Sequence, residues 1–545
     1  MTAFRTLTCR CGRISRSLTD WVPNEHGRDR RGLQRRVVRG LTWTLIDTWG
    51  SQLLGLLIFA ILTNLLQVED FGLVALAAVF VALGQLFSDV GLGDAVVQRS
   101  SLTRRQLDTV FWAAMATGAV LFVLGFVLAG PVARLVGEPR LEPILQVLSL
   151  VFPLVALSSI QVGLLRREMA FRGLAIRKLA AVAAGGAVGV AMAFANFGAW
   201  ALVGQQLASA VLSVVLLWAV SPWRPSFAFS APDFRALFGY SVNVVAGDFL
   251  GFLSRNMDNL LIGVFLGPFQ LGLYAVAYRV LDTSQQVLLS AARRLVFPSL
   301  ARLQHDMERL RRAYLRLSQL SGTATLPSYL GLALVAPEAV TVIFGQKWAA
   351  AGVAASILFL IGPVQTIQSF SGAVWNAVGH PEVTLRFRLV ATVTNVTGFL
   401  IAVLVFGDIV AVAAAYTMRG YALLPLNLYW MRRYVGISIR ELLLPLRGVT
   451  VAVIVMAATV IALKLGISQT VPNAVLLAVE VLSGAVAFTV ALFVFERPLL
   501  LEVAGIAAQA IPGGERLAPR FGLPVHARAD VEPVGDVQPI DPDID

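Results

Sequence analysis

From residue 41 to residue 495 the chain is a succession of apolar runs, most of them twenty residues or longer, separated by short polar breaks. A run of that length is what an α-helix needs to cross about 30 Å of hydrocarbon. In lipid every backbone N–H and C=O must be satisfied internally, so such runs become helices or closed barrels. Barrel strands would be about ten residues long with strict alternation, and the sequence has no such pattern. The chain therefore reads as an all-α integral membrane protein. Runs at 41–66, 72–98, 108–133, 141–165, 175–196, 198–220, 235–266, 269–297, 318–344, 350–378, 383–406, 409–431, 443–465 and 471–495 predict about fourteen transmembrane helices.

Loop charge agrees with that count, because Lys and Arg collect in cytoplasmic connections. With the N-terminus inside, Gln67-Val-Glu-Asp70, Asn196-Phe-Gly198, Gly267-Pro268 and Gly407-Asp408 face outward and carry no basic residue. Arg134, Arg140, Lys347 and Lys464 are the only basic residues on that face. Inward connections hold Arg99, Arg104 and Arg105, then Arg166, Arg167, Arg172, Arg177 and Lys178, and a dense set from Arg293 to Arg316. One missed span would invert every later loop, so both termini are expected in the cytoplasm. The net charge of +12 is thus a topology signal and not a nucleic-acid-binding surface.

Residues 1–40 carry ten arginines and the only two cysteines, Cys9 and Cys11. They read as a basic cytoplasmic tail without a signal-peptide apolar region. Residues 300–316 read as an amphipathic segment lying on the cytoplasmic face, and 498–545, Pro-rich and polar, as a disordered cytoplasmic tail. Four scattered histidines and the lack of a phosphate-binding glycine loop point to no enzyme, no cofactor and no metal site.

The sequence repeats at an offset of 200: Asp70-Phe-Gly-Leu-Val-Ala-Leu-Ala77 lies over Gln270-Leu-Gly-Leu-Tyr-Ala-Val-Ala277. An even number of helices separates the copies, which makes this a parallel repeat. The expected architecture is an N-lobe over 41–233 and a C-lobe over 234–440, six helices each, followed by two helices over 441–497.

Polar residues inside the spans need a wet or polar environment, at about 2.5–3.5 kcal/mol per charge on insertion scales. In the eighth span Arg279, Asp282, Gln286, Ser290 and Arg293 fall within roughly an 80° arc. In the seventh, Asp248, Arg255 and Asn259 share a face, with Asn256 and Asp258 to either side. Asp47 lies in the first span, Asp89 in the second and Arg419 in the twelfth. These groups are expected to line a cavity between the lobes. Arg255 with Asp258, and Arg279 with Asp282, also stand at i, i+3, the spacing of a neutralising ion pair.

The stretch Asn259-Leu-Leu-Ile-Gly263, Leu266-Gly-Pro-Phe-Gln-Leu-Gly-Leu-Tyr274 and Ala277-Tyr-Arg279 resembles the signature of oligosaccharide flippases. Glu69-Asp-Phe-Gly-Leu73 and Phe87-Ser-Asp-Val-Gly-Leu92 are similar to the matching elements of their first half. The similarity covers about residues 38–440 and is closest to Wzx-type polysaccharide exporters of the multidrug/oligosaccharidyl-lipid/polysaccharide superfamily. It implies a bacterial inner-membrane flippase that moves undecaprenyl-diphosphate-linked oligosaccharide repeat units outward for cell-surface polysaccharide. A polysaccharide polymerase and chain-length machinery are the further partners it implies. On that reading Arg255, Arg279 and Arg419 bind the diphosphate, because a guanidinium offers paired donors to phosphate oxygens. Asn256, Asn259, Gln286 and Asn376, with Asn395 and Gln368, meet sugar hydroxyls, and Tyr240, Tyr274, Tyr278 and Trp375 offer ring faces. Asp47, Asp89, Asp248, Asp258 and Asp282 either carry a coupling proton or pair with the arginines, pairing being favoured for Asp258 and Asp282. The last two helices are similar to those of lipid II flippases, which leaves that function as an alternative. A drug or cation antiporter of the same superfamily would need an arginine-poor, carboxylate-centred cavity. A polysaccharide polymerase would need a larger external loop.

Overall fold

The computed structural model describes residues 43, 46–88, 103–168, 170–301, 303, 306–467 and 471–510. Both tails, with Cys9 and Cys11, lie outside those residues, as do Asp89 and the side chains of Tyr240, Ser290 and Arg293. No strand occurs among the described residues.

Among the described residues, twelve helices are long and apolar enough to cross a membrane. Six form the first half: α1 (Asp47–Leu65), α2 (Val68–Ser88), α3 (Arg104–Val136), α4 (Leu141–Arg167), α5 (Phe171–Phe194) and α6 (Ala199–Val220). Next come two 35-residue helices, α7 (Ala231–Phe265) and α8 (Gly267–Ala301). Then follow α9 (Met307–Phe344), α10 (Gln346–Ala377), α11 (Pro381–Phe406), α12 (Ile409–Val435), α13 (Ile439–Gly466) and α14 (Asn473–Phe495). Twelve of the expected runs coincide in order with these candidate spans, and α7 and α8 lie over the other two, 235–266 and 269–297. The outward faces are apolar: Val120, Val123, Phe126 and Val127 on α3 and Val486 and Val490 on α14 are exposed. A patch of that extent would be a liability in water and is natural against lipid. The protein is a multi-pass membrane protein.

Two expectations are corrected. Residues 307–316 are not a separate surface helix but the first turns of α9, a 38-residue helix about 57 Å long. Their Leu310 and Tyr314 are fully buried against Phe370, Trp375, Met431 and Val435, which draws the segment into the bundle. The C-terminal region is not irregular from 498 either. Helix α15 (Arg497–Ala510) follows α14 directly, its Leu499 buried with Val449, Ala452 and Leu492, and its Glu502 pairs with Arg316 of α9.

Where the α7–α8 turn sits, Gly267 has φ +84°, the left-handed region that glycine enters without a Cβ penalty. That turn meets the α1–α2 turn of the other half. A Cβ on Gly72 would overlap the carbonyl of Pro268, and one on Gly272 would overlap the carbonyl of Val68. The two glycines of the sequence repeat therefore occupy equivalent places at a single helix crossing, each seated on the backbone of the other's half.

Around this crossing the halves share one buried core, running from Leu62, Leu66, Phe71 and Leu76 to Ile262, Leu271, Tyr274, Trp348 and Phe399. Polar contacts latch the same end. The Trp348 indole donates to the Thr63 carbonyl at 3.1 Å, Asn64 to that of Ile343 at 3.1 Å, and the Lys347 ammonium to that of Leu66 at 2.5 Å. At the opposite end, among the described residues, each half has its own core: Leu107, Phe111 and Ile160 in the first, Leu310, Trp375 and Met431 in the second. The connection between them is pinned to α3, where Asp108 accepts from the Ser226 N–H at 3.2 Å and Trp112 donates to the Ser226 carbonyl at 2.9 Å.

Candidate functional site

The polar stripe of α8 faces α1 across the seam between the halves. Gln286 accepts from the Gln52 amide at 2.6 Å and donates to Asp282 at 3.1 Å. One turn away, the Arg279 guanidinium lies 6.0 Å from the centroid of Phe59 and against Gly55. Periodicity placed Arg279, Asp282 and Gln286 on one face; Gln52, their partner on α1, was not singled out. A glutamine in an otherwise apolar first span was the available signal.

A second network lies behind that stripe, inside the second half. Asp258 is 1% exposed, accepting from the Tyr274 hydroxyl at 2.9 Å and from the Asn259 backbone N–H at 2.8 Å. Tyr274 stacks on Tyr278, and Tyr278 meets Tyr416 edge-on, with centroids 6.0 and 6.2 Å apart. The Arg419 guanidinium lies 5.0 Å from the Tyr416 centroid and acts electrostatically on Asp258 and Tyr278. Tyr278 stands four residues before Asp282 on α8, so the two networks share one turn of that helix. Tyr416 was missed, although it stands three residues before Arg419.

The ion pairs that the i, i+3 spacing suggested are not formed. Asp258 is turned toward Tyr274, while Arg255 is exposed and donates back to the Gly251 carbonyl at 3.2 Å. Asp282 holds Gln286, and no carboxylate lies within ion-pair distance of Arg279, Arg255 or Arg419 among the described residues. The Nε atoms of Arg279 and Arg419 are buried with no hydrogen-bond acceptor. Arg279 at the seam and Arg419 behind it thus each keep an Nε–H donor free, and a guanidinium can offer such donors to an anion's oxygens.

The remaining residues are dispersed. Asp47 pairs with Lys178 at 3.7 Å, a charge-pairing role, beside Arg177 on α5. Asp248 is exposed. Asn256 donates to the Phe252 carbonyl of its own helix at 3.1 Å, and Asn376 accepts from Thr384 at 2.8 Å near the α10–α11 turn, away from the seam. Asn259 and Asn395 each keep a buried amide oxygen without a donor, and Asn395 ties α11 to α7 by donating to the Ser254 carbonyl at 2.9 Å. Gln368 has a buried amide nitrogen without an acceptor. Tyr274 and Trp375 are 0% and 1% exposed, so in this conformation neither presents a ring to a cargo. Trp375 packs on Phe387 and Trp430. Among the described residues no His, Cys, Asp and Glu group is arranged to hold a metal ion.

A family model described as "Polysaccharide biosynthesis protein" matches residues 61–353 of the 545. The chain belongs to this family. Its relatives include the succinoglycan biosynthesis transport protein ExoT of Rhizobium meliloti, 29% identical over 488 residues that cover 88% of this chain and 97% of the relative. The lipopolysaccharide biosynthesis protein WzxC of Escherichia coli is 26% identical over 362 residues, 66% of this chain and 74% of WzxC. Among solved structures, the lipid II flippase MurJ superposes with a TM-score of 0.67 at 14% identity, over 84% of this chain and 99% of MurJ. An inward-facing multidrug transporter of the MATE family gives 0.51 at 17% identity, over 73% of this chain and 94% of the transporter. Family members are thus similar in sequence along most of the chain, and the fold is that of MurJ and the MATE transporters.

Proposed function

We propose that this chain is a flippase that carries undecaprenyl-diphosphate-linked oligosaccharide repeat units from the inner to the outer leaflet of the bacterial cytoplasmic membrane. The lobes are residues 41–233 and 234–440; with the pair over 441–497 they make fourteen crossings with both termini in the cytoplasm. The observation that carries the reading is the pair of half-buried guanidinium groups of Arg279, at the seam, and Arg419, behind it, neither with a carboxylate within ion-pair distance among the described residues. A diphosphate supplies the missing charge, with Arg255 as a third donor on α7. Gln286, Asn259 and Gln52 offer hydrogen bonds to the first sugar, and the polyprenyl tail stays in lipid. Membership of the polysaccharide biosynthesis family and the succinoglycan transport protein among the relatives support the cargo class.

Alternating access follows from the two ends of the bundle. The shared core and the Trp348, Asn64 and Lys347 contacts close the outer end, while separate cores at the inner end let the lobes part. The cycle then consists of breaking the outer latch and closing the inner end around the cargo. Transport without covalent chemistry needs no catalytic residue, and a polymerase acting on the delivered units is the implied partner.

Cells lacking the protein should accumulate a lipid-linked oligosaccharide on the inner leaflet. The wild-type gene should clear it, and a stably inserted Arg279→Gln, Arg419→Gln double variant should not. Full clearance by the double variant would remove the diphosphate role. Accumulation of a peptidoglycan precursor instead would assign the lipid II cargo.

A further inference from the structure

Outside the seam, three charged side chains meet where α9 packs against the last helix pair. Glu480, about two turns into α14, is 0% exposed, and neither of its carboxyl oxygens has a hydrogen-bond partner. The charged groups that face it are Glu338 of α9 and Lys464 of α13. Lys464 is already committed: its ammonium donates to Glu338 Oε1 at 2.7 Å and to the Leu334 carbonyl at 3.1 Å. Glu338 Oε2 is itself buried without a partner. One cation thus stands between two carboxyl groups, and it serves only one of them.

A carboxylate buried between membrane helices with no hydrogen-bond donor, its nearest cation held by another acid, is costly to keep ionised, and the neutral acid removes that cost. An alkali cation would need a shell of oxygen ligands. The nearby Ser483 hydroxyl is spent on the Glu480 backbone carbonyl at 3.2 Å. We propose that Glu480 is a proton-binding site, protonated while Lys464 is held by Glu338 and ionised when Lys464 transfers to it.

The backbone around Glu338 suits such an exchange. Pro337 lies inside α9 immediately before Glu338 and cannot donate the helical N–H bond of its position, which makes this turn of α9 a natural bending point. Bending there moves Glu338 relative to Lys464, and α9 also carries Phe344 in the core shared by the two halves. Lys464, a third exposed, gives the released proton a way to water near the α13–α14 turn. The site is independent of what the seam binds.

Infrared difference spectroscopy on the full-length protein in lipid nanodiscs tests this, since a protonated carboxyl and a carboxylate absorb at separate C=O stretches. Wild type minus Glu480→Gln at neutral pH should show the loss of one protonated carboxyl band. Glu338→Gln, which frees Lys464, should replace that band with a carboxylate one. Lys464→Met, which leaves both acids in place, should keep the Glu480 band and gain a second one from Glu338. A wild type minus Glu480→Gln spectrum that contains only carboxylate bands would overturn the proposal. So would a protonated band that sodium abolishes, which would make the site an alkali-cation site. If the band survives in Glu338→Gln, the exchange through Lys464 is wrong.

Discussion

Replacing either glycine of the α2–α8 crossing by alanine should open the end of the bundle where the α1–α2 and α7–α8 turns meet. Each Cβ would overlap a backbone carbonyl, Pro268 for Gly72 and Val68 for Gly272, and no side chain can rotate away to make room. Carbon atoms prefer about 3.5–4.0 Å of separation, so the two helix ends must move apart. Overpacking of this kind costs about 1–3 kcal/mol, and here it falls only on the conformation in which the turns touch. A bias of that size shifts a two-state equilibrium roughly 5- to 150-fold. Both substitutions act on one crossing, so their effects should add to less than their sum. The assay is a distance measurement between spin labels at Phe197→Cys and Asp408→Cys, on outer turns of the two lobes, with Cys9 and Cys11 replaced by Ser. Gly72→Ala and Gly272→Ala should each add a longer-distance population. Unchanged distributions in both variants would refute the claim that this crossing closes that end.

Other consequences are read by thermal unfolding or labelling. Tyr274→Phe removes the hydroxyl that serves the buried Asp258 carboxylate and should destabilise the protein by about 1.5–3 kcal/mol, an effect largely absent in an Asp258→Asn background. Trp348→Phe keeps the ring contact with Phe71 but loses the bond to the Thr63 carbonyl; a loss of about 1 kcal/mol and faster labelling of a cysteine at Asn64 are expected. Arg316→Ala breaks a partly exposed ion pair to Glu502 and should change stability by less than about 1 kcal/mol. A larger effect would mean that α15 is held by charge and not by Leu499.

The positions and order of the long helices were legible because hydrophobic length is a local property of the sequence. The repeat was legible too: Gly72 and Gly272 matched at an offset of 200, and they meet at one crossing because small residues let backbones approach. The continuation of α9 through 307–316 was not, since a basic amphipathic stretch looks alike on a membrane surface and on the end of a bundle; Leu310 and Tyr314 decide it only through their partners. Within the candidate site, periodicity found the α8 stripe, but side-chain pairing was beyond it. The i, i+3 spacing suggested Arg279 with Asp282 and Arg255 with Asp258, whereas the acids turn to Gln286 and Tyr274. Glu480 and its neighbours come from three helices, with α9 far in the chain from the consecutive α13 and α14, so no local pattern announces them.

The central claim is that Arg279 and Arg419 wait for the anionic head of a lipid carrier. Equilibrium binding of undecaprenyl diphosphate to the purified protein in nanodiscs tests it most directly, with wild type compared with Arg279→Gln and Arg419→Gln. Losing a charge-assisted contact of about 1.5–3 kcal/mol should weaken binding roughly 10- to 150-fold in each variant, and inorganic pyrophosphate should compete in the wild type. Equal affinity in all three proteins, with intact folding, would contradict the account.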